Sequence, residues 1–305
     1  MKKDISIKLI QEIEKRLFIK IVKTTIPPQG MDSQVFIVID KDAKEYVIKY
    51  SKWAFNDKFA YDLINKHKLN IPIPKVLCSF VFDENQVLVL EKINYPLLES
   101  VNDKSKYIPS MINCLKTIHE IKADIAGLLN TKLKRTWKEI LLSKFNGTDE
   151  LLNWGSITKR NGMDKDLILK SIEKLVIQIE EKEFLNSNYS LLHPDFNQRN
   201  LFIDPDSNKI TGIIDWSESM FGDPVYDFAR LRMFIWHFKL GGNVLKEYYT
   251  LVNLNEEERE IEQIYFVSFV IEYLAYYSEE LNEFNKSRLI LHQNYLKEFI
   301  NSSSS

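Results

Sequence analysis

The sequence predicts an α+β protein of two lobes, a five-stranded antiparallel sheet carrying one helix and then a larger, mostly helical part. Three observations carry this expectation. Apolar residues alternate or cluster in strand-length runs over about the first ninety positions, recur at three- and four-residue spacing from Leu97 onward, and return once to short strands before Asp215. At 305 residues the chain is long enough for two well-filled cores, and the expected division is 1–93 and 94–305.

After a helical opening, IKIVK (19–23), QVFIVID (34–40) and KEYVIKY (44–50) read as three strands of a meander. A helix over about 55–68 is stopped by IPIPKV, where Pro72 and Pro74 bias the residues before them away from helix. SFVFDENQVLVLEKI then supplies two strands around a turn at Asp83, Glu84 and Asn85. The pattern changes near 93–97, and SMINCLKTIHEI and DLILKSIEKLVIQIEEKEFL show helical spacing. YSLLHPDF, NLFID and KITGIID form an island of strand, the last two joined by DPDSN. IYFVSFVIEYLAYY (264–277) is broken by Ser268 and Glu272 and is too short to cross a bilayer, so it reads as a buried helix.

Composition narrows the function. A formal charge of -2 argues against general nucleic-acid binding, yet residues 201–305 hold 9 basic against 17 acidic residues, a net of -8. That excess suits a cationic ligand or metal-nucleotide, or else belongs to solvated helix faces such as Glu256–Glu258. The charged N-terminal stretch offers no apolar core for a signal peptide, so a cytoplasmic protein with no membrane partner is expected, with a monomer favoured. Cys78 and Cys114 make neither a disulfide framework nor a metal-ligand spacing.

The chemistry concentrates in HPDFNQRN (193–200), followed by IIDWSE. Asp195 and Asn200 stand five apart, and Asp215 ends the next apolar strand. Phosphoryl transfer needs a carboxylate that orients and accepts the proton of an attacking hydroxyl, and oxygen ligands for a Mg²⁺ that bridges phosphates. Asp195 fits the first task; Asn200 and Asp215, on neighbouring strands, fit the second. Protein kinases use the same interval between their catalytic aspartate and metal-binding asparagine. Upstream, Lys49 in YVIKY is placed to pair with phosphates, and GMDS, with Gly30 and Ser33, makes the turn over them.

With these positions in this order, the chain resembles the aminoglycoside phosphotransferase family, small-molecule relatives of protein kinases, from about residue 25 to at least 240. IIDWSESMFGDPVYDFARL, YVIKY, FNDKFAYDLINKHKLNIPIPKVL and RTWKEI are most similar to its hygromycin B branch. The resemblance implies a protein-kinase-like fold, with 1–93 a nucleotide-binding lobe and 94–305 a catalytic and substrate-binding lobe. It implies Asp195 as base, Asn200 and Asp215 as Mg²⁺ ligands, Lys49 on the phosphates of ATP or GTP, and backbone groups of Glu91 and Ile93 facing a purine.

Two departures stand out. Pro194 replaces the family's usual glycine, and no glutamate lies between 46 and 83 to pair with Lys49, which leaves Asp57, with Asp62 behind it. His193 is expected to brace the turn rather than act as a base, and Asp223 and Asp227 to support it. Glu218 points to solvent or to a substrate cleft. Trp216 and Trp236 are core residues or, for Trp236, a substrate platform. GDP begins seven residues after Asp215, leaving no room for an activation segment, so the acceptor is a small molecule. A cationic aminosugar antibiotic suits the acidic C-terminal part; a macrolide, a metabolic acceptor and a nucleotide-binding pseudokinase are the alternatives.

Overall fold

A computed structural model of the protein describes residues 5–27, 33–129, 135–147 and 152–302. Gly30, expected in the phosphate turn, lies outside them; Ser33 leads directly into a strand. The chain forms two compact units. One runs to Ile121, with a short stretch at Leu128, and takes in His193–Met220; the other holds Lys122–Gly127, the chain leading to Leu192, and everything from Phe221 on.

In the first unit, helix α1 (Ile7–Leu17) starts where the Ser6 hydroxyl accepts the Leu9 N–H at 3.1 Å. Strands β1 (Ile21–Thr25), β2 (Gln34–Asp40), β3 (Glu45–Ser51), β4 (Val76–Phe82) and β5 (Asn85–Glu91) form one sheet in the order β1-β2-β3-β5-β4. Every neighbouring pair is antiparallel. Because side chains alternate across a strand, Phe36, Val38, Tyr46, Ile48, Val87 and Val89 share one face, which Leu9 and Ile13 of α1 cover. Lys49, one residue from Ile48, is thrown to the opposite face, opposed by Val35 and Leu88 on its neighbouring strands. Helix α2 (Ala54–His67) packs there through Asp57, Ala60, Tyr61 and Ile64, all buried at helical spacing.

Strand β1 begins two residues later than IKIVK suggested. Phe18 adopts φ 57, the Ile19 N–H donates to the Glu14 carbonyl, and the Glu14 carboxylate accepts the Ile21 N–H at 2.8 Å. Alternation alone cannot mark that start, since Ile19 and Ile21 have the same parity.

Helix α3 (Ile108–Ile118) and the antiparallel hairpin β9 (Leu201–Asp204) and β10 (Lys209–Ile213) belong to this same unit. The hairpin is stitched to distant chain: Ile203 N–H donates to the Pro96 carbonyl, Ile210 N–H to the Ser110 hydroxyl, and Ile213 N–H to the Pro72 carbonyl at 2.7 Å. The first compact unit therefore reaches past the end of the five-stranded sheet and includes the motif-bearing turn.

The second unit contains β6 (Lys122–Ala123) paired with β8 (Tyr189–Leu192), and the two short strands β7 (Gly127–Leu128) and β11 (Met220–Gly222) lie at its margins. Its helices are α4 (Trp137–Ser143), α5 (Trp154–Ile157), α6 (Lys165–Glu181), α7 (Val225–His237), α8 (Gly242–Val252), α9 (Glu256–Tyr277) and α10 (Glu283–Asn301). Helix α9 packs against α6, α7 and α10 and is buried along most of its length. No described helix is long and apolar enough to cross a membrane. The two polar interruptions of its apolar run partner each other: Ser268 donates to Glu272 at 2.7 Å, and Glu272 also takes the Lys144 ammonium at 2.8 Å. Burial works against the Lys144 charge, but Glu272 outweighs it and raises the pKa of the ammonium. Glu256–Glu258 occupy the first turn of α9, where Asn255 and Glu258 form a reciprocal cap and the acidic side chains meet the positive end of the helix dipole.

Near the start of α7, Asp223 accepts the Val225 N–H at 2.9 Å and the Tyr265 hydroxyl at 2.8 Å, while Tyr265 accepts the Trp137 indole N–H. Gly222 lies beneath that indole; a Cβ there would sit 2.3 Å from Trp137 and 2.8 Å from Leu192. Trp137 is fully buried and cannot swing aside. Gly222→Ala is expected to destabilise the protein by about 1–3 kcal/mol through overpacking, seen as a lower midpoint in thermal and urea unfolding.

Candidate active site

Lys49 is the anchor of the site. Its Nζ lies 2.9 Å and 2.8 Å from the two oxygens of Asp57 and 2.6 Å from Oδ1 of Asp215. Period-two alternation aims Lys49 at α2, and Asp57 heads the buried stripe of that helix, in its first turn. The carboxylate that pairs with the lysine is thus Asp57, itself 0% exposed; Asp62 instead pairs with Lys58 at the surface.

One ammonium serves two carboxylates, and the protonation energetics follow. Burial disfavours the charge on Lys49, but Asp57 and Asp215 outweigh it and raise its pKa. Burial dominates at Asp57, so its carboxyl titrates above the usual range despite Lys49. At half-buried Asp215 burial pushes upward too, but attraction and hydrogen bonding from Lys49, helped by the Ser217 hydroxyl at 3.0 Å, hold its carboxyl below the usual range.

Asp57 also accepts the backbone N–H of Trp216 at 2.8 Å. Asp215 itself sits at φ 63, a left-handed conformation that aspartate tolerates better than most residues. The residue before Asp57 on α2, Asn56, donates its amide to the carbonyls of Trp216 (3.3 Å), Ser217 (2.8 Å) and Ser219 (2.8 Å). Nothing in the sequence marks Asn56, because a polar residue at a helix start reads as a cap.

The turn bearing HPDFNQRN is equally constrained. The Asn200 amide donates to the Asp195 carboxylate at 2.7 Å and to the Asp195 carbonyl at 3.0 Å, and Asn197 donates to the other carboxylate oxygen at 2.7 Å. Both oxygens of Asp195 are thereby fixed in direction. Asn197 joins the functional set; its signal was an asparagine two residues from an aspartate, the spacing of a local Asx contact. His193 is buried, its Nε2 3.0 Å from the Ile214 carbonyl and its ring 4.5 Å from that of Trp216. The Ile214 N–H donates to the Asn200 carbonyl at 3.0 Å, which brings the Asn200 and Asp215 backbones together.

These contacts leave two oxygens for a cation. With its amide nitrogen committed to Asp195, Asn200 keeps Oδ1 for another partner, and Asp215 keeps Oδ2 beyond the Oδ1 contacts with Lys49 and Ser217. Among the described residues no group of three or more His, Cys, Asp or Glu could hold a metal alone. Two protein oxygens suit an ion such as Mg²⁺, which takes one or two side chains and completes its shell from phosphates and water.

The remaining candidates lie as follows. Glu91 ends β5, its N–H donating to the Lys75 carbonyl, and half-buried Ile93 follows in the connecting segment, where its side chain meets Gly212. Glu218 is exposed, between two residues whose carbonyls Asn56 holds. Trp236 belongs to the second unit, ringed by His237, Phe266, His292 and Tyr295.

This arrangement of sheet, helix lysine-partner and motif-bearing turn is that of the kinase-like small-molecule phosphotransferases. A ternary complex of a thermostable mutant of aminoglycoside phosphotransferase APH(4)-Ia with ADP and hygromycin B superposes with a TM-score of 0.71 at 16% identity, over 98% of this chain and 99% of that one. Spectinomycin phosphotransferase APH(9)-Ia, in complex with ADP and spectinomycin, gives 0.66 at 19% identity, over 98% and 96%. A 46-residue stretch is 46% identical to hygromycin-B 4-O-kinase of Escherichia coli, spanning 15% of this chain but only 12% of that protein. Residues 23–261 match the phosphotransferase enzyme family, APH, and the chain belongs to it.

Removing the Asp57 carboxylate strands a buried Trp216 N–H and half of the lysine's countercharge. Asp57→Ala is expected to cost about 3 kcal/mol or more in urea unfolding. Asp215 gives a pH signature. Its folded carboxyl titrates below its unfolded value, so its contribution to stability is complete above about pH 4 and is lost as pH falls through the folded value. The stability difference between wild type and Asp215→Asn is therefore expected to shrink below about pH 4, measured by urea unfolding across the acid range.

Proposed function

We propose that the protein transfers the γ-phosphoryl group of ATP or GTP to a hydroxyl of an aminoglycoside of the hygromycin B type, an antibiotic-inactivating reaction. The observation that carries the reading is the convergence, within one compact unit, of the Lys49–Asp57–Asp215 cluster and the Asn200–Asp195 pair, joined through the Ile214 N–H on the Asn200 carbonyl. Family membership and relatives described with ADP, hygromycin B or spectinomycin support it.

In this reading Asp195, its carboxylate fixed by Asn197 and Asn200, orients the acceptor hydroxyl and takes its proton as the new O–P bond forms and the bond from the γ-phosphorus to the β–γ bridging oxygen breaks, releasing ADP or GDP. Lys49 exchanges its contact with Asp215 for the donor phosphates while Asp57 keeps it in place. Asn200 Oδ1 and Asp215 would hold Mg²⁺, which when bound would screen the phosphate charge and polarise the transferring group. Ser33, just before β2, faces the donor phosphates, and the backbone at Glu91 and Ile93 takes the purine. Residues 1–93 serve the nucleotide and 94–305 the catalysis and acceptor, with exposed Glu218 meeting an acceptor ammonium. The protein acts as a cytoplasmic monomer.

Purified protein offered ATP or GTP with hygromycin B, kanamycin, gentamicin or erythromycin is expected to add one phosphate, read by mass, to an aminoglycoside. Turnover of erythromycin alone would make it a macrolide kinase, and no turnover with any of the four would turn the search to a metabolic acceptor. Asp195→Ala is expected to lower turnover roughly 10²- to 10⁴-fold while nucleotide affinity is retained. An equally active variant would remove Asp195 from the role of base.

A further inference from the structure

We infer that Asn56 is a positioning residue that sets the metal affinity of the site, a reading that rests on the kinase function proposed above. The segment after Asp215 is irregular: within it the Trp216 carbonyl accepts the Ser219 N–H at 3.0 Å, and the carbonyls that follow have no strand or helix partner and need donors from elsewhere. Asn56 supplies them. Its one amide reaches the carbonyls of Trp216, Ser217 and Ser219, and it is 3% exposed, shielded from competing water. The next residue, Asp57, takes the Trp216 N–H from the same turn of α2.

Donors and acceptors of one short segment are therefore gripped by two consecutive side chains, and the gripped segment starts at the residue following Asp215. With Asp215 at φ 63 and Trp216 held from both its N–H and its carbonyl, the backbone on the C-terminal side of the metal carboxylate has little freedom to rotate. Asp57 contacts Lys49 as well, so the first turn of α2 sets the spacing between the phosphate-binding ammonium and the metal-binding carboxylate. An aspartate could not substitute for Asn56, since a carboxylate offers no proton to three carbonyl oxygens.

Groups that orient a metal ligand commonly change metal affinity by about 10- to 100-fold when removed. The test measures ADP affinity calorimetrically with Mg²⁺ and with EDTA, and Mn²⁺ binding to the protein–ADP complex by electron paramagnetic resonance. In Asn56→Ala the gain in ADP affinity that Mg²⁺ confers is expected to shrink about 10-fold, and Mn²⁺ to bind about 10-fold more weakly, with EDTA affinity nearly unchanged. Asn56→Ser, which keeps one short donor, should fall between and serves if the alanine variant does not fold. A folded variant with the full metal-dependent gain, whatever its melting temperature, would overturn the assignment of Asn56 and leave the kinase reading standing. Wild-type protein that binds ADP without any metal response would overturn both.

Discussion

A single buried ammonium, shared by a carboxylate on a helix and a carboxylate after a strand, organises everything around it. Lys49 belongs to the sheet, Asp57 to α2, and Asp215 to the turn that follows β10, so one cation joins two neighbouring elements to a turn 166 residues further along the chain. The trio carries one more negative than positive charge, with Asp57 wholly out of water. In the proposed reaction a divalent cation arriving with a polyphosphate would supply positive charge to Asp215 and negative charge to Lys49 together. The resting contact between Lys49 and Asp215 occupies the groups that the proposed reaction needs, and so keeps both aimed at one point.

Around this centre, asparagine does most of the orienting. Asn56 grips the metal-side turn, Asn200 and Asn197 grip Asp195, and in each case a neutral amide directs a carboxylate or carbonyl without adding charge to a site already in deficit of cations. His193, Ile214 and Trp216 close the gap between the two turns with a backbone contact and a ring contact. The network is short-range within each turn, and it is the β9–β10 hairpin that carries it across the fifteen residues separating Asn200 from Asp215.

Much of this was legible in the sequence. Short apolar runs bounded by turn residues placed β2 and β5; the HPDFNQRN spacing and the strand ending in Asp215 located the two turns. The start of β1 was not legible, since it depends on a Glu14 side chain reaching past the helix end. Nor was the extent of the first compact unit, because the hydrogen bonds from β9 and β10 to Pro96, Ser110 and Pro72 join residues a hundred or more apart. Asn56 was invisible for a related reason: its importance lies in backbone carbonyls 160 residues away, which carry no residue-type signature. The acidic run at 256–258 offered two readings, and helix capping accounts for its position.

The aspartate at 57 has one more implication. Protein kinases make and break the pair between their strand lysine and a helix glutamate as that helix is repositioned. Here the helix acid holds Lys49 and the Trp216 N–H together, so an outward step of about 1.5 Å would break both contacts at once. A helix tethered this tightly is suited to an enzyme that is always armed, waiting only for its substrates.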